Sequence, residues 1–343
     1  MTIVTALVVI AIIILAHEVG HFVMARREDI EVQEFALGFG PRLFGVRRGE
    51  TLYSVRILPL GGFVRMTGEG GEDRDNPRGF AAKSPGAKVR VSAAGPLMNI
   101  ALAAVIFVTT FTLVGIPTPV EDTVVGEAVV GKPAYEAGIR EGDRIVAVAG
   151  QPVRDWEDFV KKVRASQAGQ PLPLTIEREG RVLQVTVVPE AAGTDQPPLV
   201  GVRQALTFRK VGVWEGLRQG FLQTFQITWV LLLGLGHLFS GAASPSDVAG
   251  PVGITRMIGD AAAGGWVYLL NFAALLSINL GILNLLPIPA LDGSRIVFAL
   301  VEAVRGRPME PEREGFIHFL GFVFLMALIA LITYNDILRI IDP

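Results

Sequence analysis

The sequence predicts an α-helical polytopic membrane protein with four transmembrane helices and one inserted α+β domain. Three observations lead there. Half of the 343 residues are hydrophobic, only 19% are charged and mean hydropathy is +0.47, a mixture too apolar for a soluble protein of ordinary surface. Charge is also missing in blocks: no Asp, Glu, Lys or Arg occurs from Met1 to Ala16, Val91 to Val120, Ala261 to Leu291 or Gly315 to Asn335. Each block is near or above the roughly 20 residues that a helix needs to cross a hydrocarbon core. Between the second and third blocks, over about 80 residues, the texture changes to mixed charge with alternating apolar positions.

The first block lacks the basic leader and small-residue cleavage site of a signal peptide, so it reads as an uncleaved span. Arg26 and Arg27 follow it at once. The stretch from Ala25 to Ser92 carries twelve Lys and Arg against none ahead of the span, which puts the N-terminus outside and this loop in the cytoplasm. Within the loop, Thr51 to Ile57 has strand composition, Arg47 to Glu50 that of a turn, and Gly61-Gly62 marks a break. The second span, about Ala94 to Ile116, returns the chain to the outside. The organisation is therefore a membrane half over 1–118, an extracytoplasmic insert over 119–200 and a second membrane half over 201–343. In the insert, Leu172 to Ile176 and Val182 to Val188 read as strands around a Glu179-Gly180 turn.

His17-Glu18-Val19-Gly20-His21 has the HExxH spacing. On a helix, positions i and i+4 share a face, so both imidazoles can hold one zinc ion while Glu18 serves as general base. Two histidines and a glutamate are costly inside a span and rare there without a function. A catalytic zinc takes three protein ligands and leaves one position open. The extended form of the motif is excluded, because Met24 and Arg27 occupy its later positions. Asp292 is the best third candidate: it ends an uncharged run, and Pro287, Pro289 and Gly293 make the backbone there irregular. Alone, the same aspartate would read as the cap of the following helix. His237 and His318 read as interfacial or packing residues.

Phe221 to Phe239 is uncharged and long enough to cross. If it crossed, Asp292 would end on the opposite face from His17 and His21, and a metal site cannot be shared across a core of about 30 Å. If the three are ligands, Val213 to Phe239 is a surface-lying or re-entrant helix. The third span is then about Trp266 to Leu286 and the last about Phe316 to Thr333. Arg295, Arg305, Arg307 and Arg313 place the loop between them inside.

Two resemblances add to this reading. Ala134 to Gly150, with its Glu-Ala-Gly-Ile-Arg-Glu-Gly-Asp core, resembles the helix, turn and strand signature of PDZ domains in bacterial membrane-associated proteases. Such domains bind extended peptides at a sheet edge, or serve as spacers and size filters. The HEVGH motif in a first span, Leu291-Asp292-Gly293 preceded by Asn284-x-x-Pro-x-Pro, and an insert between second and third spans resemble the site-2 protease family of intramembrane zinc metalloproteases, most closely the bacterial regulator-of-sigma-E type. Further matches are Gly38-Phe-Gly40, Pro59-Leu-Gly-Gly62, Lys83-Ser84, Ala94-Gly-Pro-Leu-Met-Asn99, Ser246 to Ile254, and Ser277 to Leu285.

The resemblance implies zinc as cofactor, His17, His21 and Asp292 as its ligands, Glu18 as catalytic acid/base, and a membrane-associated β-hairpin over about Phe35 to Met66. It makes Asn279 and Asn284 substrate-binding, although either can equally be an interhelical packing residue. Implied substrates are single-span membrane proteins such as anti-sigma factors, cut within the lipid bilayer of a bacterial plasma membrane. A net charge of -2 gives no reason to expect nucleic acid, and the absence of cysteine excludes disulfides and a thiolate zinc site. The non-enzymatic alternative is a PDZ-bearing membrane scaffold with a structural zinc, against which Glu18 argues. A transporter is disfavoured by the lack of a repeated pair of broken spans.

Overall fold

The computed structural model describes residues 2–69, 76–191, 197–239 and 250–341. In chain order the elements are α1 (Thr2–Arg27), β1 (Val32–Arg48), β2 (Thr51–Met66), α2 (Pro85–Leu113), β3 (Ile116–Pro119), β4 (Val125–Ala128), α3 (Pro133–Glu136), β5 (Arg144–Val148), β6 (Gln151–Pro152), α4 (Trp156–Arg164), β7 (Leu172–Arg178) and β8 (Arg181–Val187). There follow β9 (Glu190–Ala191), β10 (Pro198–Leu199), β11 (Val202–Gln204), β12 (Leu206–Arg209), α5 (Val213–Phe239), α6 (Pro251–Ala263), α7 (Trp266–Asn284), α8 (Asp292–Arg305) and α9 (Pro311–Ile341). They form two compact units, Thr112–Gly212 and the two flanking segments together.

Among the described residues four helices are long and apolar enough to cross a membrane: α1, α2, α7 and, within α9, Glu312–Leu338. α5 is not one of them. The second helix differs from its expected bounds. It starts at Pro85 rather than near Ala94, and Ile116 already belongs to β3. The charged residues Lys88 and Arg90 hid its first turns: Lys88 is buried against Glu302 (2.7 Å) and Arg90 pairs with Glu28 (2.6 Å), so both charges are met by protein. Of the Ser246 to Ile254 match, Ser246 to Ala249 lie outside the described residues.

The first loop is a hairpin folded across itself. Residues Glu34 to Leu37 of β1 have partners on both sides, Leu52 to Val55 and Gly62 to Arg65, while Phe44 to Arg48 pair with the outer side of Thr51 to Val55. Two strands thus make a sheet four segments wide, in which Gly62 to Arg65 is an outermost segment paired, among the described residues, on one side only. The Gly61-Gly62 break is the bend that allows this. The base of the hairpin packs on the helices through Ala25, Ile30, Val32, Val64, Met66 and Val91. Its far end exposes Phe39, Leu43, Phe44, Val46, Ile57 and Leu58. α6, which the sequence reading did not resolve as an element, packs on α1 and α7 through Ile258, Ala6, Val9, Ile13 and Ala273.

The other unit has a four-stranded antiparallel sheet in the order β6-β5-β7-β8, with smaller pairs β11-β4, β12-β3 and β10-β9. The expected turn at Glu179-Gly180 joins β7 to β8, with both residues at positive φ (52° and 76°) as a tight two-residue hairpin demands. Val125, Ile139, Ile145, Phe159, Leu174, Ile176 and Val187 form its core. Asp143, 1% exposed, receives Nε and Nη2 of Arg178 at 2.7 Å and the backbone N–H of Arg140 at 2.8 Å. Burial works against its ionisation, but these donors outweigh burial and hold the carboxyl below the usual carboxylate range.

Candidate metal centre

α1 sets His17 and His21 one turn apart on one face, both buried. What they meet is decided by two glycines. A Cβ on Gly20 would stand 2.3 Å from the carbonyl oxygen of Ala94, so glycine lets α1 and α2 approach backbone to backbone. A Cβ on Gly95 would stand 2.3 Å from Nε2 of His21, so glycine there makes room for the ring. Pro96, one residue on, has no N–H to give the Ser92 carbonyl, which loosens α2 at this level. The neighbouring carbonyl of Val91 accepts from Nδ1 of His21 at 2.8 Å. That bond fixes the proton on Nδ1 and leaves the lone pair on Nε2 for a metal.

Asp292 comes from the other end of the chain. The backbone between α7 and α8 turns through Pro287 and Pro289 to Ala290, a non-glycine residue at φ 76°. α9 holds this turn: Nδ1 of His318 accepts the N–H of Ala290 at 3.0 Å, and a Cβ on Gly321 would stand 2.4 Å from the oxygen of Pro289. Asp292 then opens α8, where the exposed N–H groups of the first turn favour a carboxylate.

Oδ2 of Asp292 lies 3.0 Å from Nε2 of His17 and 3.3 Å from Nε2 of His21, and the two nitrogens are 3.1 Å apart. The same oxygen is buried and accepts no hydrogen bond. Three lone-pair atoms converging without donors suit a cation. Ligands about 2.0–2.1 Å from a tetrahedral zinc stand roughly 3.3 Å apart, so the residues present fit that ion.

The trio lines a cavity of about 320 Å³. Glu18 lines it too, outside the trio. So do Gly62, Phe63 and Val64 of the outermost hairpin segment, together with Asn284, whose Nδ2 donates to the Leu280 carbonyl at 3.0 Å. Asn279 is not among the lining residues; five positions from Asn284, it faces roughly 140° away around α7. Arg295 closes one wall in an ion pair with Glu69.

The structure brings Asp292 beside the two histidines, whereas sequence reasoning gave no part at the site to Gly20, Gly95 or Asn99 and took His318 for an interfacial or packing residue. A signal existed for Gly95, since Gly95-Pro96 inside an apolar run marks a helix with room for a close neighbour. Asn99 stood out as an amide inside an apolar run, but nothing local tied it to His17, and His318 meets a backbone group far away in the chain.

The family model described as Peptidase family M50 matches residues 5–328. The chain is 37% identical over 335 residues to a putative zinc metalloprotease of Clostridium acetobutylicum, covering 98% of this chain and 97% of that protein. It is 31% identical over 419 aligned positions to the regulator of sigma-W protease RasP of Bacillus subtilis, covering 99% of each. Among solved structures, the PDZ domain of an SdrC-like protein from Listeria monocytogenes is matched over 26% of this chain and 94% of that one, at 14% identity and a TM-score of 0.23. A match to the family over nearly the whole length, with relatives named as zinc metalloproteases, means that this chain belongs to peptidase family M50, the site-2 protease family, and is a zinc metalloprotease.

Proposed function

We propose that this protease cuts single-span membrane proteins of the anti-sigma-factor kind within the bilayer, using zinc held by His17, His21 and Asp292 and Glu18 as general base. The observation that carries the proposal is the shared cavity. Ligand trio, a carboxylate outside the trio and an unpaired strand edge all open into one space. The relative in Bacillus subtilis is named as a regulator of sigma-W, which supports the substrate class.

Zinc, when bound, supplies Lewis acidity: it lowers the pKa of water toward roughly 7 and polarises a carbonyl. The remaining steps belong to side chains. Glu18 takes a proton from the attacking water and delivers it to the leaving amine. A substrate helix hides its scissile carbonyl in its own hydrogen bonds, so it must unwind before attack. The outward edge of Gly62 to Arg65 offers the unwound backbone a strand to pair with beside the metal ligands. Asn284, which lines the same cavity, offers its amide to that backbone, while Asn279 would reach a substrate only from another face of α7. The exposed apolar end of the hairpin suits the membrane surface.

In this reading the N-terminus and the PDZ-like insert are extracytoplasmic, α5 lies along the membrane, and the metal centre sits toward the cytoplasmic side of a bacterial plasma membrane. Co-expression with a panel of tagged single-span proteins tests the function. The native chain is expected to shorten at least one of them within its span. Glu18→Gln is expected to cleave none while keeping its zinc; zinc lost together with activity would remove Glu18 from the role of base.

A further inference from the structure

Asn99 is an amide in the middle of an apolar helix, and its side chain is fully buried. Nothing in the mechanism above uses it. Its Nδ2 stands 3.3 Å from Nδ1 of His17, its Oδ1 is buried without a hydrogen-bond partner, and its backbone carbonyl accepts from Oγ of Ser277 at 2.8 Å. The residue is thus pinned between α1 and α7 with its amide end against the rear of a metal-site imidazole.

The two histidines are supported differently. Nδ1 of His21 faces a backbone carbonyl, a group that can only accept, so Nε2 of that ring is always the one with the free lone pair. Nδ1 of His17 faces an amide, whose two ends are a donor and an acceptor related by a half-turn about Cβ–Cγ. A ring that gives its Nε2 lone pair to a metal carries its proton on Nδ1 and needs an acceptor there. Nδ2 cannot accept, and Oδ1 can. Among the described residues, the polar side chains that His17 meets besides Asn99 are His21 and Asp292, and both lie on the Nε2 side.

We propose that Asn99 is a positioning residue for the metal centre: by turning Oδ1 toward Nδ1–H it selects the metal-binding tautomer of His17 and fixes the plane of that ring. Asn99 touches a ligand and no reacting atom, so it acts through His17. The inference rests on the reading of His17 as a zinc ligand, and the experiment separates the two.

Full-length protein is purified in detergent as the native form, Asn99→Leu, Asn99→Asp and His17→Ala, and zinc affinity is measured by competition with a chromogenic chelator. Asn99→Leu keeps the volume and removes both polar ends; its zinc affinity is expected to fall by about ten- to a hundredfold. Asn99→Asp restores an acceptor and is expected to recover most of that loss. Should Asn99→Asp fail to fold, Asn99→Ser, with a hydroxyl acceptor, takes its place. Native affinity in Asn99→Leu, with zinc lost from His17→Ala, overturns the role of Asn99 and leaves the ligand reading standing. Equal weakening in Asn99→Leu and the acceptor-bearing variant also overturns it, since the loss of an acceptor would then not explain the effect. Zinc retained in His17→Ala overturns the ligand reading itself.

Discussion

Gly95 faces the His21 ring so closely that a methyl group there would need space the imidazole already fills. Because Val91 holds the far side of the same ring, the ring cannot retreat without giving up the hydrogen bond that sets its tautomer. Gly95→Ala is therefore expected to weaken zinc binding by at least about tenfold, the scale on which losing the outer support of a ligand acts. The helix itself gains propensity from the change, so helical content by circular dichroism should hold while zinc per chain after chelator dialysis falls. Unaltered zinc in a folded Gly95→Ala protein would show that the ring has another place to go. Charge at a single residue can be followed in the same way at Asp143. Its carboxyl is held below the usual range by Arg178 and Arg140, so it contributes stability that is present above the unfolded carboxylate pKa of about 3.9 and lost as pH falls through the lower folded value. Asp143→Asn leaves Arg178 without its carboxylate and should destabilise the Thr112–Gly212 unit by roughly 3 kcal/mol at neutral pH. Hydrogen exchange through β5 and β7 would report this as faster opening in the variant at pH 7, with the gap between native and variant narrowing as pH falls below the unfolded carboxylate pKa.

At the scale of elements, the hairpin differs most from what its length suggests. Seen as two strands it would be a ribbon with two free edges; folded across itself, it turns Gly62 to Arg65 into an edge that faces the metal cavity. An edge offers alternate residues' N–H and C=O groups outward, and proline removes one N–H without adding bulk beyond the strand. Proline placed in turn at Phe63 and Val64 is expected to abolish substrate cleavage at positions whose N–H points outward and to leave zinc content unchanged there. At positions whose N–H pairs with β1, it should disturb the hairpin instead. Cleavage that survives at every position would mean that substrate does not pair with this edge. α9 has a similar indirect part. By receiving the Ala290 N–H and leaving no side chain at Gly321, it stabilises the irregular turn that delivers Asp292.

For the molecule as a whole, sidedness is the testable property. A cysteine replacing Gln151, exposed in the insert, should react with an impermeant maleimide in intact cells, and one replacing Pro77, exposed in the first loop, should react only after lysis. The reverse pattern would turn the protein over. Much of this architecture was legible beforehand because its causes are local. Charge-free runs mark α1, α2, α7 and α9, Glu179-Gly180 marks its turn, and the i, i+4 spacing of His17 and His21 puts two candidate ligands on one face. What was not legible depends on which surfaces meet. The start of α2 was hidden because Lys88 and Arg90 are charged, and only their partners Glu302 and Glu28 make them compatible with the helix. The double pairing of Glu34 to Leu37, the ring cradle at Gly95 and the support from His318 all rest on neighbours distant in sequence.

The distance along the chain between the halves of the metal centre also sets a timetable. Asp292 is made about 270 residues after His21, and the helix bearing His318 later still. At a ribosomal rate of about 5–20 residues per second, roughly 15–50 s separate the first ligands from the third. With zinc held by the proposed trio, the nascent protein would offer only two of the three ligands throughout that interval. It would then enter the membrane inactive and become a protease only when its last helices are in place.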